Sequence, residues 1–419
     1  MENQMNISIH KFGGASVKNS DAVKNIAKIL KSFPSEMSSI IVVSAMGKTT
    51  NKLEKVASEL NDAKAKLAID KIAASHVEIA NSLELSGKFV DEIWSLFSIQ
   101  NHITDIDERY DATVSLGELA STRIISEYLK TQGYDASWWD VRNTITTDSR
   151  HRGARVDEEQ MRNYGISIMQ QLNNSKFIVT QGFIGKSPSG ATTTLGREGS
   201  DYSAALLACA ANAQEVVIWK DVQGMHNADP RIFKETITID KLDYHEALEL
   251  SYYGASVIHP RTVKPLQNRN IPLYVKSFLN PSGPSTCIGD FPNLAVTTPM
   301  YISRPNITCL SLGPADHSFV GEDHLETVFR ALSRSGIHVR MMQNSAVQFD
   351  LVFDTDQAKQ DRLIHDLGSG FHTKSNDNLE LITVRHGNAD LLESLTAGKN
   401  IIMEQINMPT VRRLVKANS

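Results

Sequence analysis

Several stretches of this 419-residue chain combine residue types at spacings that could do chemistry. In Lys11-Phe12-Gly13-Gly14-Ala15-Ser16 a cation is followed by a glycine pair whose bare backbone can approach a phosphate and point N–H groups at it. A Gly-Gly is equally an ordinary tight connection, and no GxxxxGK(S/T) loop occurs in the chain. From Thr192 to Tyr202, hydroxyls, glycines, Arg197 and Asp201 precede a helical run from Ser203 to Ala213, so a guanidinium fork and a helix N-terminus could face one anion. The alternative is a capped helix, with Ser200 or Asp201 as the cap and Arg197 in solvent. Ile218 to Gly224 ends a strand and passes into Asn227-Ala228-Asp229-Pro230-Arg231. That is either a nucleotide edge at the carboxyl end of a parallel sheet or an ordinary Asp-Pro loop. Glu118 is one acid amid helical sequence, a position more often solvated than functional.

These residues need a scaffold, and apolar periodicity outlines one. Ile7 to Phe12 alternates, Val23, Ile26, Ala27 and Leu30 recur at helical spacing, and Ile40 to Val43 suits a fully buried parallel strand. A second helical pattern runs through Leu53, Val56, Ala57 and Leu60, and the chain then reads as mostly helical to about residue 131. Strands return near Tyr134 to Asp140, Phe177 to Thr180 and Val216 to Lys220, which predicts an α/β fold: a mainly parallel sheet sandwiched by helices. Pro281, Gly283, Pro284, Gly289 and Pro292 mark the main boundary, dividing 1–292 from 293–419. Beyond it, Ile307 to Leu312 and Val347 to Phe353 read as strands. Asp323 to Ser335 reads as a helix with Leu325, Val328, Phe329 and Leu332 inward, stopped by Gly336. A weaker second round follows: strand Glu380 to Val384, helix Ala389 to Ala397, and apolar stretches at Ile401-Ile402 and Leu414-Val415. Two rounds make a small α+β module.

Composition narrows the function classes. Lys and Arg number 43 against 48 Asp and Glu, a net charge of −5, so no global field draws the chain to nucleic acid or anionic lipid. No segment approaches the roughly 18 apolar residues of a membrane span, and MENQMNISIH has no apolar leader region. Cys209, Cys287 and Cys309 are too few and too scattered for a disulfide frame or a zinc site, so the expected compartment is a reducing cytoplasm.

Taken in order, Lys11 to Val17, Val42 to Leu53, Ser115 to Ser121, Gly182 to Asp201, Ile218 to Arg231 and Glu246 to Thr262 resemble successive blocks of aspartate kinases, beginning with the family's KFGGTSV opening. The region after the boundary is similar to that family's paired ACT modules, which bind amino acids. The resemblance implies an amino-acid kinase fold and transfer of the ATP γ-phosphoryl group, with Mg2+, to the side-chain carboxylate of L-aspartate. It assigns Lys11, Gly13, Gly14 and Asp201 to the transferred phosphoryl group, and Thr50, Glu118, Phe183, Arg197 and Ser200 to the amino acid. Within that set Glu118 would take the ammonium and Arg197 a carboxylate. Lys220, Asp221, His226, Arg231 and Ser256 fall to ATP, and no protein metal site is assigned. An amino-acid effector and a homodimer or higher homo-oligomer are further expectations. The alternatives are a kinase of the same fold acting on glutamate or acylglutamate, and a catalytically silent amino-acid sensor; no nucleic-acid or membrane partner is expected.

The chain departs from the family pattern at informative places. Ala15 stands where Thr is usual, His226 where Tyr is, and Glu198 replaces a glycine and is expected to point outward. Lys220 occupies a usual Thr position and Ser256 a usual Lys position, so Lys220 is expected to supply the missing cation near the phosphates. Arg340 lies where lysine-inhibited relatives tend to carry Asp, which argues against lysine as effector; it could bind an effector carboxylate or be solvated. The second ACT module is expected to be shortened after Lys416.

Overall fold

Strands β1 (Asn6–Phe12) and β2 (Met37–Val43) lie parallel at the centre of a sheet, with the first helix, α1 (Ser20–Lys31), between them in sequence. Both strands are buried along most of their length; β2 carries a continuous apolar run, whereas β1 alternates Ile7 and Ile9 with Ser8 and His10, whose buried side chains hydrogen-bond each other at 2.8 Å. Asn19 caps α1 by accepting the Ala22 N–H at 3.0 Å. These coordinates are a computed structural model, which describes residues 6–98, 100, 102–233, 235–254, 258–292, 294, 298–387 and 389–416. Ser256 lies outside the described residues.

The chain continues through α2 (Thr49–Ser58), α3 (Asp62–Ser82), α4 (Gly87–Leu96), α5 (Ile106–Val114) and α6 (Leu116–Thr131). Then come β3 (Ala136–Trp139), α7 (Glu158–Asn174), β4 (Phe177–Gln181), a small hairpin of β5 (Ile184–Lys186) and β6 (Thr192–Thr194), α8 (Gly199–Ala210) and β7 (Glu215–Lys220). Last are β8 (Lys241–Asp243), α9 (Tyr244–Tyr253), α10 (Pro260–Gln267), β9 (Leu273–Ser277) and β10 (Thr286–Gly289). Among the described residues the main sheet has eight strands in the order β3-β4-β2-β1-β7-β9-β10-β8, parallel except where β10 meets β9. β2 and β7 flank β1 on opposite sides, so the order reverses around β1, and ligands of open α/β sheets gather outside the carboxyl ends of strands at such a point. Lys11, Ser44 and Lys220 all lie at those ends.

Two compact units form. One comprises residues up to 226, 238–251 and 258–294, and the other 227–237, 252–254 and 298–416, counting described residues only. The second unit has its own sheet, built from β11 (Met300–Pro314), α11 (Glu322–Ser335), β12 (Val339–Asn344), β13 (Phe349–Asp354), α12 (Gln357–Leu367), β14 (Phe371–Arg385), α13 (Ala389–Thr396), β15 (Asn400–Asn407) and β16 (Thr410–Lys416). Its strand order is β12-β13-β11-β14-β16-β15, antiparallel throughout. β11 and β14, fifteen residues each, run through both halves of it and carry register shifts between Arg304 and Cys309. Gly336 stops α11 in the left-handed conformation at φ 68°.

Several expectations need correction. α2 ends at Ser58, and Leu60 is 89% exposed instead of closing its apolar stripe. Phe329 on α11 is 45% exposed and Val347 precedes its strand in solvent. α8 starts four residues before Ser203, so neither Ser200 nor Asp201 is its cap. The short edge strand β12 and the helix α12, with only Gln360, Leu363 and Leu367 buried, left too weak an apolar pattern to read. Arg340 is neither solvated nor free for an effector carboxylate: its Nη2 lies 2.6 Å from Asp354, whose other oxygen takes Arg304 at 2.8 Å. Among the described residues no helix is long and apolar enough to cross a membrane.

Candidate active site

The end of β1 turns on glycines because backbones meet there. A Cβ on Gly14 would lie 2.6 Å from the Gly47 carbonyl oxygen, and the Gly47 N–H donates to the Gly14 carbonyl at 3.0 Å. The turn after β1 is thereby locked to the turn after β2. Lys11, the penultimate residue of β1, extends its ammonium to Asp201 at 2.5 Å. Asp201 sits in the first turn of α8, only 1% exposed, and its second oxygen faces Lys220 at 3.6 Å. Burial drives the Asp201 carboxyl toward its neutral form, but Lys11 and then Lys220 outweigh it and hold the carboxyl below its ordinary value. One carboxylate between two lysines leaves the ends of β1 and β7 with a net positive charge, as a phosphate site requires.

The entry to α8 is strained. Glu198 has φ 56°, a left-handed backbone that costs a non-glycine residue about 1–2 kcal/mol, which explains the glycine usual at this position. Its side chain is exposed, as expected. Phe183, at φ 72°, is a second left-handed residue of the same wall.

Glu118 is not on a solvated face. α6 approaches the loop after β2 so closely that a Cβ on Gly117 would meet the Ala45 Cβ at 2.8 Å. Ser121 donates to the Ser44 carbonyl at 2.8 Å, and the Ala45 N–H donates to Glu118 Oε1 at 3.2 Å. Glu118 is 2% exposed, and burial pushes its carboxyl up to about 8 despite the lowering effect of the Ala45 N–H, its own backbone N–H and the Thr50 hydroxyl.

These groups share one cleft of about 620 Å³, which brings together Lys11, Thr50, Glu118, Phe183, Arg197, Ser200 and Asp201. Gly13 and Gly14 support Lys11 from the adjoining turn. Of the residues assigned to ATP, Lys220 joins the Asp201 cluster and Asp221 is exposed just beyond β7. His226 bridges to Thr238, and Arg231 belongs to the second unit, where it pairs with Asp229 at 2.6 Å.

The cleft also contains residues that motif reading missed: Asn51, Glu54, Tyr110 and Arg152. Arg152 lies over the Tyr110 ring at 4.3 Å and pairs with Asp107 at 2.7 Å, while the Tyr110 hydroxyl donates to Glu54 at 2.7 Å. Asp111, fully buried on α5, holds this wall by accepting from Thr194 Oγ1 at 2.6 Å and from the Arg152 N–H at 3.1 Å. The only sequence signal was the basic run Arg150-His151-Arg152. Behind Lys11, His10 accepts from the Trp219 indole N–H at 3.3 Å through Nδ1, so its proton is on Nε2, 2.8 Å from Ser8 Oγ. Burial, with a smaller contribution from Lys276, lowers the His10 value to about 3 and keeps it neutral.

The mainly parallel sheet thus sets a lysine-flanked aspartate at its switch point beside a buried glutamate. The amino acid kinase family model matches residues 6–277. The chain is 32% identical to the lysine-sensitive aspartokinase 3 of Escherichia coli K12, over 96% of this chain and 92% of that one. It is 30% identical to the Arabidopsis thaliana chloroplastic bifunctional aspartokinase/homoserine dehydrogenase 2, over 87% of this chain but 42% of that protein's length. The crystal structure of E. coli aspartokinase III with aspartate and ADP superposes with a TM-score of 0.83, at 30% identity, covering 98% of this chain and 96% of that one. The chain belongs to the aspartokinases of the amino acid kinase family.

Proposed function

We propose that the cleft transfers the γ-phosphoryl group of ATP to the side-chain carboxylate of L-aspartate, giving 4-phospho-L-aspartate and ADP. The observation that carries this reading is the meeting, in one cleft, of the Lys11–Asp201 pair, whose second carboxylate oxygen faces Lys220, with a buried glutamate and a rim arginine. A carboxylate nucleophile is already ionised at neutral pH, so the site needs positioning and positive charge and no general base. Lys11 neutralises the moving phosphoryl group and Asp201 orients it, with the Gly13 and Gly14 turn beneath. Glu118 takes the substrate ammonium, Arg197 a carboxylate, and Thr50, Phe183 and Ser200 complete the pocket. Lys220, with Asp221 and His226, serves the nucleotide.

Magnesium suits this site as a companion of the nucleotide. Among the described residues no group of three or more His, Cys, Asp or Glu could hold a metal ion, and Asp201 is engaged by two lysines. Bound to the phosphates, magnesium would supply charge neutralisation there. The ammonium partner at Glu118 favours a free amino acid over acylated substrates, and the intact Lys11–Asp201 pair favours an enzyme over a silent sensor.

The second unit supports an amino-acid effector. E. coli aspartokinase III has a T-state structure with lysine and aspartate, but here Arg340 stands where lysine-inhibited relatives tend to carry Asp, and its guanidinium is engaged by Asp354, which Arg304 also holds, so this position offers a lysine ammonium no carboxylate of its own. The unpaired edges of β12 and β15 favour a homodimer or larger assembly. Three free cysteines fit a reducing cytoplasm. The test is ADP release with magnesium-ATP and, in turn, L-aspartate, glutamate, N-acetylglutamate and UMP. Release dependent on aspartate alone is expected, and turnover with another member of the panel would overturn the substrate assignment.

A further inference from the structure

In the protein by itself, Glu118 is an acid without a cation. Its Oε1 accepts the Ala45 N–H, while Oε2 is buried with no hydrogen bond of normal geometry among the described residues. The charged groups facing the cleft are committed elsewhere or sit at its rim. Lys11 is paired with Asp201, Arg152 with Asp107, and Glu54 with the Tyr110 hydroxyl; Arg197 and Glu198 are exposed ahead of α8. None of them shifts the Glu118 titration appreciably, which burial dominates. A lone carboxylate in such a place is costly, whereas one paired with an ammonium is not.

We infer that Glu118 is a neutral carboxylic acid until the amino acid binds, and that binding expels its proton to solvent as the carboxylate–ammonium pair forms. The inference rests on the reading of Glu118 as the ammonium's partner. The Glu118 O–H bond breaks, the proton passes to water or buffer, and nothing is oxidised or reduced. With a carboxyl near 8 in the protein alone, most of a proton leaves per aspartate bound at pH 7. Apparent affinity for aspartate then strengthens up to about tenfold per pH unit between the bound-state value and 8. Proton release also sets specificity: a dicarboxylate lacking an ammonium gives Glu118 no reason to ionise, so discrimination against it widens as pH rises.

The experiment is titration calorimetry of the full chain with L-aspartate and with succinate, between pH 6 and 8.5, in buffers of different ionisation enthalpy. Wild type should release the larger part of one proton with aspartate at pH 7, falling toward zero above pH 8, and essentially none with succinate. Glu118→Gln, an isostere of the protonated side chain, should bind aspartate at least tenfold more weakly, release no proton and lose the pH dependence. If Glu118→Gln weakens binding but wild type releases no proton, or if both release the same number, the proton-linked step is overturned and the ammonium assignment stands. If Glu118→Gln binds aspartate as tightly as wild type, the ammonium assignment itself falls.

Discussion

Replacing Glu118 by Gln should stabilise the folded protein, increasingly so as pH rises. Burial holds the Glu118 carboxyl near 8, against 4.5 for the ordinary group. Between those values the unfolded chain binds fewer protons than the folded one, so stability falls by about 1.4 kcal/mol per pH unit. Because the folded-state value is the raised one, the loss begins above pH 4.5 and is complete once pH passes 8. Over the window it amounts to roughly 5 kcal/mol. The amide never ionises and escapes this loss, while keeping an oxygen that can accept the Ala45 N–H. All four tryptophans, Trp94, Trp138, Trp139 and Trp219, precede residue 226, so their fluorescence follows the unit that contains Glu118. Urea unfolding monitored this way should place the two proteins close together at pH 5. The variant should then draw ahead steadily to pH 8 and hold a constant lead above it. A difference that does not vary with pH, or a wild type that gains on the variant, would refute the reasoning.

Other perturbations test separate parts of the site. Asp201→Asn removes the carboxylate that aligns both lysines, and a loss of about a hundredfold or more in kcat is expected with little change in aspartate KM; steady-state kinetics showing unchanged kcat would remove Asp201 from the reaction. Lys220→Ala should raise the KM for ATP and lower kcat, and normal values for both would show that Lys220 does not supply the cation usual at position 256. Saturating lysine should leave the rate unaltered, since Arg340, paired with Asp354, stands where lysine-inhibited relatives tend to carry Asp; inhibition in a coupled ADP assay would contradict that. Light scattering should report a dimer or larger species, and Ile401→Lys with Ile406→Lys on the exposed edge of β15 should dissociate it. No change in mass would exclude that edge.

Much of the catalytic unit was legible because each element carries one strong local pattern. The alternation of β1, the apolar runs of β2, β4 and β7 and the glycine turn after Lys11 needed no tertiary information. Seven of the residues that line the cleft could be named from the sequence, but their arrangement could not. Nothing local to Glu118 tells that α6 is buried nearly all round; that follows from Gly117 packing on Ala45, 72 residues away in sequence. The sharing of Asp201 between lysines at the ends of β1 and β7 is likewise a product of strand order. Arg152 reaches the cleft only because the distant Asp111 pins its loop. The second unit was read less well because β11 and β14 are long and partly exposed and β12 is short and mostly exposed, and the Arg304–Asp354–Arg340 bridge joins three strands that no periodicity connects.

Hydroxylamine trapping during turnover with magnesium-ATP and L-aspartate addresses the chemistry most directly, because only an acyl phosphate yields a hydroxamate. Aspartyl hydroxamate should accumulate in step with ADP in the wild type and disappear in Lys11→Ala. ADP formed without hydroxamate, or hydroxamate formed undiminished without the Lys11 ammonium, would contradict phosphoryl transfer to the aspartate carboxylate at this cleft.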